Sequence, residues 1–318
     1  MIRASAVSFR FPSGRLALDA VDFSADGGEI VAVVGPNGSG KTTLLRILAR
    51  VIAPASGEIA GPADGAPGCI GWAPDTAVHF DELSAFANAR FFAHSNGADD
   101  SAIRPLLGSF GLEQDAGRPV AHYSFGMRRK LMLVEAMAHL PELLLLDEPT
   151  VGLDPASVLA LSDLLHRHVE RGQTAVLATN DLAAARTAGR VVFLHRGRKI
   201  ADGTHTQLLA SVAGTTRIDL VLDRPAATLP AMDGVTFTRS GDGLVAETIG
   251  STMLPGICQV VADAGAHVRE IRIREPDLRD VFRALAGEDL VDATAEPVPA
   301  AGPEPARTRR GPPWRRKA

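Results

Sequence analysis

Four short runs of apolar residues punctuate the first two thirds of the chain. They are Glu29-Ile30-Val31-Ala32-Val33-Val34, Leu143 to Leu146, Thr174 to Ala178 and Arg190 to Leu194. A run of apolar residues without polar alternation predicts a strand buried on both faces. Helical stretches lie between them, from Thr42 to about Arg50 and from Ala156 to Glu170. Residues 83–138 read as mainly helical, with loops around Gly97 and Gly117. Before the first buried run, Val7, Phe9 and Phe11 alternate with polar or small residues, so residues 1–34 read as strands. Strand and helix in alternation predict an α/β fold, a mostly parallel sheet with helices on both sides.

The pattern changes after about Gly214. Short alternating segments appear at Thr216 to Leu222, Val235 to Thr238, Leu244 to Thr248 and His267 to Ile273. Two helical stretches accompany them, Thr252 to Ala264 and Asp277 to Ala286, the second bounded by Pro276 and Gly287. The expected organisation is a domain over 1–213 with a helical subdomain at about 83–138, and a small α+β accessory domain over 214–287. Residues 288–318 are rich in Pro, Ala and charge and predict a disordered tail.

Composition narrows the function classes. The formal net charge is -4, yet residues 307–318 alone carry six positive charges, leaving -10 for residues 1–306. That balance argues against nucleic acid as a partner. Cys69 and Cys258 match no metal spacing and predict two free thiols in a reducing compartment. No stretch reaches the roughly 18–20 apolar residues that span a bilayer, and residues 1–11 lack a signal core. If the chain serves a membrane, other chains must cross it. His166 and His168, two apart on a helix, read as surface residues. The basic end around Trp314 reads as solvated, with anionic lipid heads as the alternative contact.

The strongest chemical signal is Gly35-Pro36-Asn37-Gly38-Ser39-Gly40-Lys41-Thr42, which matches G-x-x-x-x-G-K-[ST]. It lies between a buried-strand run and a helix, the context that separates a phosphate loop from an ordinary glycine-rich turn. Glycines let successive backbone N–H groups point inward at phosphates. The helix start adds its positive dipole end. Lys41 supplies a point charge to the β and γ phosphates, and Thr42 a hydroxyl ligand for magnesium. Leu143 to Leu146 run into Asp147 and Glu148, placing two carboxylates at the carboxyl end of a buried strand, where open α/β sheets bind ligands. Asp147 is the candidate magnesium ligand. Glu148 is the candidate base for the attacking water. The implied cofactors are ATP and Mg2+.

From about Ile2 to Ala210 the chain resembles the ATP-binding cassette (ABC) ATPases, P-loop proteins with a mostly parallel sheet plus a helical subdomain. The distinguishing segment is Tyr123-Ser124-Phe125-Gly126-Met127-Arg128-Arg129-Lys130, a variant of the LSGGQ signature that keeps Ser124 and Gly126. In that family the signature begins a helix and faces the γ-phosphate held by a second ATPase subunit, so the resemblance implies a dimer. It further implies nucleotide contacts at Phe11 (stacked on adenine, with core packing as the alternative) and along Gly35 to Thr43, including Thr43. Asp154, in Pro149-Thr150-Val151-Gly152-Leu153-Asp154, would contact the partner subunit. Two positions depart from the family: Asp75 stands where a Gln is expected, and Asn180 where a His follows Thr179. Asp75 could still ligate magnesium, and Asn180 keeps a hydrogen-bond donor of shorter reach. Slow but nonzero hydrolysis is the expectation.

The segment Ile273-Arg274-Glu275-Pro276-Asp277-Leu278-Arg279-Asp280-Val281-Phe282 is similar to the C-terminal end of daunorubicin-type exporter ATPases. This implies a peripheral subunit on the cytoplasmic face of the membrane. It would drive an integral membrane permease on a separate chain, and the permease would contact the drug-like or lipid-like substrate. Phe86, Phe91 and Phe92 could touch that permease or fill a helix core. Alternatives are a regulatory ATP-binding subunit that scarcely hydrolyses, and an ABC ATPase without a transporter.

Overall fold

The computed structural model describes residues 1–62, 68–76, 78–211, 216–224, 229, 231–240, 243–248, 251–288 and 290. The apolar runs become the centre of a six-stranded sheet. Its order is β5 (Ile70–Ala73), β6 (Leu143–Asp147), β7 (Thr174–Thr179), β3 (Ile30–Val34), β8 (Arg190–His195), β9 (Arg198–Gly203). The first five strands are parallel and β9 returns antiparallel to β8. β3, β6 and β7 are buried at every position, because successive residues feed two different cores. Ala32, Val34, Leu144, Leu146 and Leu177 enter one; Val31, Val33, Leu143, Leu145 and Val176 enter the other. Such two-sided burial needs covering layers on both faces.

One layer holds α1 (Lys41–Leu48) and an antiparallel sheet in the order β2 (Leu16–Ala25), β1 (Ile2–Arg10), β4 (Ser56–Ala60). The opposite core takes α2 (Ala85–Ser95), α3 (Ile103–Ser109), α4 (Phe125–Met137) and α5 (Pro155–Glu170). α2 turns its small residues inward. Ala85, Ala89 and Ala93 are buried at four-residue spacing, while Phe91 is exposed and stacks edge-on with Phe80 at 4.9 Å. Phe86 alone of the three α2 phenylalanines packs against the core. His168, expected on the surface, is buried: its Nε2 donates to the Thr174 carbonyl at 3.2 Å, and desolvation lowers its pKa. A short helix α6 (Leu182–Ala185) follows β7, and α7 (His205–Ser211) follows β9.

The accessory segment forms a second antiparallel sheet, in the order β11 (Val235–Ser240), β12 (Gly243–Thr248), β10 (Thr216–Leu222), β13 (Val268–Arg274). α8 (Leu254–Asp263) closes its own small core through Ile257 and Val261. α9 (Leu278–Ala286) behaves differently from its sequence grouping. Asp277 and Asp280 form a capping box and Gly287 ends the helix at φ 74°, so the expected start and stop signals are used. Its apolar face, Leu278, Val281 and Phe282, enters the core of the six-stranded sheet instead, with Phe282 edge-on to Phe193 at 5.5 Å. Glu288 and Leu290, assigned to the tail by composition, are also held there. Glu288 pairs with His195 at 3.0 Å and Leu290 is buried in the same core. The basic end at 307–318 lies outside the described residues.

No helix among the described residues is long and apolar enough to cross a membrane. Cys69 and Cys258 are free.

Candidate active site

Four adjacent parallel strands, β5, β6, β7 and β3, end at one edge of the sheet. Each delivers one predicted segment there: Pro74-Asp75, Asp147-Glu148, Thr179-Asn180 and the glycine loop from Gly35. The register explains why they meet. Asp147 lies opposite Ala178, and Thr179 opposite Val34.

The loop from Gly35 to Gly40 leaves no room for a side chain at its two ends, Gly35 and Gly40. A Cβ on Gly35 would sit 2.1 Å from the Leu194 carbonyl oxygen and 2.6 Å from Ser39 Oγ. Gly40 adopts φ 110° against Ala17 of β2, a conformation L side chains rarely take. Lys41 opens α1 and is buried. Its Nζ donates to the Gly35 and Pro36 carbonyls at 2.7 and 3.4 Å and lies 3.7 Å from Glu148 Oε1. Burial lowers its pKa, against Glu148 and then Asp147, which raise it. Thr43 is buried behind the loop, and Ser39 Oγ is buried without a hydrogen-bond partner.

Asp147 is fully buried, and both its carboxylate oxygens lack a hydrogen-bond partner of ordinary geometry. Desolvation pushes its pKa up to about 6; Asp75 and Glu148 add to the rise, while the neighbouring Thr42 hydroxyl and Lys41 oppose it. An orphaned buried carboxylate beside a threonine hydroxyl fits a magnesium site, so Thr42 and Asp147 are the residues that would hold the ion. The energetics give a signed prediction. A raised folded pKa means the native state keeps a proton that the unfolded chain releases, so stability falls as pH rises from about 4 to 6. Two units correspond to about 3 kcal/mol. Asp147→Asn should therefore raise the melting temperature of the nucleotide-free protein at pH 7 by roughly 5 °C or more, and the gain should shrink below pH 5. Wild-type Mg2+ affinity should be about tenfold weaker at pH 5 than at pH 7, since the ion needs the ionised carboxylate. Thermal melts and Mg2+ titrations across this range check both; a gain that persists at pH 4 refutes the account.

Glu148 has φ 47°, the left-handed region, where a non-glycine residue costs of order 1–3 kcal/mol and must be held by its surroundings. Its N–H donates to the Ala178 carbonyl at 2.8 Å. Its Oε2 accepts from the Thr179 hydroxyl at 3.1 Å and its Oε1 from the Asn180 backbone N–H at 3.1 Å. Asn180 thus reaches Glu148 through its main chain. Asp75 is exposed, and its Oδ1 lies 3.7 Å from Arg46 on α1.

The remaining candidates are placed as follows. Phe11 is half-buried at the turn between β1 and β2, edge-on to Phe9 at 5.3 Å and beneath the Arg15 guanidinium at 4.8 Å. Ser124 caps α4, its hydroxyl accepting from the Met127 N–H at 3.3 Å. Phe125 is 67% exposed, and its ring covers Gly152, where a Cβ would meet it at 2.4 Å. Gly126 lies beside the Gly152 carbonyl oxygen. Asp154 caps α5 by accepting from the Ser157 N–H at 2.9 Å, and it pairs with Lys130 of α4. Its carboxylate is thereby engaged within the chain.

Sequence reasoning overlooked Arg129 and the Thr179 hydroxyl. Arg129 lies in the signature-like segment between two other cations. The available signal was its spacing, three and four residues before the buried Met132 and Leu133 of α4.

With this geometry in place, comparison with known proteins identifies the family. Residues 18–151 match the sequence family described as ABC transporter. A daunorubicin resistance ATP-binding protein of Streptomyces coeruleorubidus is 35% identical over 291 residues, 86% of this chain and 92% of the relative. The chain belongs to the ABC transporter ATPases. A fluoroquinolones export ATP-binding protein of Mycobacterium tuberculosis is 30% identical over 303 residues, 91% of this chain and 94% of that protein. The solved structure of the ATP binding subunit of an ABC transporter aligns with a TM-score of 0.62 at 31% identity, covering 66% of this chain and 92% of that one. The two alignments with the curated relatives cover 86% and 91% of this chain, so they run past residue 213. As an ABC ATPase, the protein binds ATP with Mg2+ and hydrolyses it.

Proposed function

We propose that this ABC ATPase powers export of a drug-like or lipid-like molecule through an integral membrane permease on a separate chain. It would sit on the cytoplasmic face of the membrane and act with a second ATPase subunit, because each chain carries one phosphate loop and one signature-like segment. The observation that carries the reading is the assembled edge of the sheet. Lys41, Asp147 and Glu148 converge there with the Thr179 hydroxyl, which supports a hydrolytic site. Likeness to a fluoroquinolones export protein over 303 residues supports export. So does the C-terminal segment from Ile273 to Phe282, which resembles exporter ATPases. Thr42, Asp147 and Asp75 would lie around the ion, and Phe11, Ser124, Gly126 and Asp154 around nucleotide or the second subunit.

The decisive experiment purifies the tagged chain from native membranes. Recovery of a polypeptide with several apolar spans, whose presence stimulates ATP hydrolysis, supports the proposal. Soluble behaviour with no membrane protein recovered would sink it.

Asn180 and Asp75 favour a second reading, a slowly hydrolysing regulatory partner. A hydrogen bond to a charged group is worth roughly 1.5–3 kcal/mol, so Asn180→His should raise kcat by about tenfold or more if side-chain reach limits turnover. An unchanged rate in the purified complex would exclude that explanation.

A further inference from the structure

The catalytic edge contains a buried cation that the chemistry above does not use. Arg129 is the fifth residue of α4 and is only 3% exposed. Its guanidinium reaches across two separate strand ends. Nη1 donates to the Pro74 and Asp75 carbonyls at 2.9 and 2.8 Å, and Nη2 donates to the Asp147 and Glu148 carbonyls. Four N–H bonds on the two terminal nitrogens therefore meet four backbone acceptors. A planar fork of this kind fixes direction as well as distance, which an ammonium on a flexible stem does not.

Two features make this arrangement more than helix packing. The Glu148 carbonyl it grips belongs to a residue held in the left-handed region at φ 47°. Such a backbone persists only where its neighbours over-determine it. Arg129 fixes the carbonyl side of Glu148, while Ala178, Thr179 and Asn180 fix its N–H and carboxylate. The same guanidinium also holds Asp75, so the segment after β5 and the end of β6 share one anchor. That anchor stands on the helix capped by Ser124.

The neighbouring fastenings on α4 reach further along the same segment and do not touch the strand-end carboxylates. Arg128 pairs with Asp81. Glu135 shares a 3.1 Å hydrogen bond with His79, whose Nε2 donates to the Arg128 carbonyl at 3.0 Å.

We propose that Arg129 is a positioning residue for ATP hydrolysis: its forked guanidinium sets the backbone of Glu148 and of Asp75 from the signature-like helix. It makes no contact with nucleotide in this role. It acts by keeping the Glu148 carboxylate aimed at the place where water attacks. A misplacement of about 1 Å in such a group can cost on the order of 10²-fold in rate.

The test compares full-length wild type with Arg129→Lys and Arg129→Met. Steady-state hydrolysis, thermal unfolding and equilibrium binding of a fluorescent ATP analogue are measured on the same samples. Both variants should lose kcat by about 10- to 100-fold while KM and analogue affinity stay within about threefold, the signature of a lost alignment rather than lost binding. Arg118→Met, which breaks an exposed pair with Asp115 outside the signature-like segment, should keep kcat within about threefold of wild type. Recovery of kcat by Arg129→Lys would show that charge alone suffices and would overturn the proposal. So would an equal loss in Arg118→Met, or a raised KM at unchanged kcat. Should Arg129→Met fail to fold, Arg129→Lys decides by itself, because it keeps the buried charge and removes only the fork.

Discussion

Glu148→Gln is expected to lower kcat by about 10²- to 10⁴-fold while leaving ATP affinity within a few-fold of wild type. The amide keeps the size of the side chain and can still accept from the Thr179 hydroxyl or the Asn180 N–H. It cannot take a proton from water. It also removes one of two adjacent negative charges, so binding of the triphosphate should not suffer. The φ 47° backbone and its anchors stay in place, which makes the loss chemical rather than structural. Single-turnover hydrolysis alongside equilibrium ATP binding separates the two. Activity within threefold of wild type would remove Glu148 as the base.

Lys41→Ala is expected to reverse that balance, with hydrolysis undetectable and ATP affinity lowered by about 100-fold or more. A charge-assisted hydrogen bond contributes roughly 1.5–3 kcal/mol, and one ammonium can serve two phosphate oxygens. The ammonium donates to the Gly35 and Pro36 carbonyls and faces Glu148 Oε1 at 3.7 Å. Lys41→Arg should not restore activity, because the slot is buried and shaped for a narrow stem, while a guanidinium is broad and planar. Calorimetric titration with ATP and Mg2+ checks this. An affinity within threefold of wild type for Lys41→Ala would refute the role given to the ammonium.

The two variants probe different parts of one site, and those parts were legible in the sequence to different degrees. The phosphate loop was legible because its motif is contiguous. Gly35 to Thr42 run without interruption from a buried strand into a helix start, although the atoms that leave no room for a Cβ at Gly35 and Gly40 belong to Leu194 and Ala17. Asp147 and Glu148 were legible because a fully apolar strand that ends in carboxylates has one sensible place for them. The core strands were legible for the same reason: β3, β6 and β7 are apolar at almost every position.

Other features depend on residues far apart in the chain. Arg129 looks like one more charge on a helix, and its four carbonyl partners lie 18, 19, 54 and 55 residues away. His168 looked exposed because helical spacing gives no hint that Thr174 turns back over it. α2 buries alanines and shows Phe91 because its neighbours approach closely on the small side. α9 has clear start and stop signals, but its amphipathic pattern does not say which core its apolar face will join.

By itself, then, the sequence determined the buried strands, the phosphate loop and the pair of carboxylates, since apolar runs, a contiguous motif and helix starts are written within a few residues. Tertiary structure alone decided that Arg129 grips the backbone of Glu148, that Thr179 and Asn180 aim its carboxylate, and that α9 returns to the cassette. Those outcomes arise from which buried polar groups and apolar faces meet when distant segments pack. A buried guanidinium must find acceptors and an apolar helix face must find a core, and only the assembled chain fixes which ones they find.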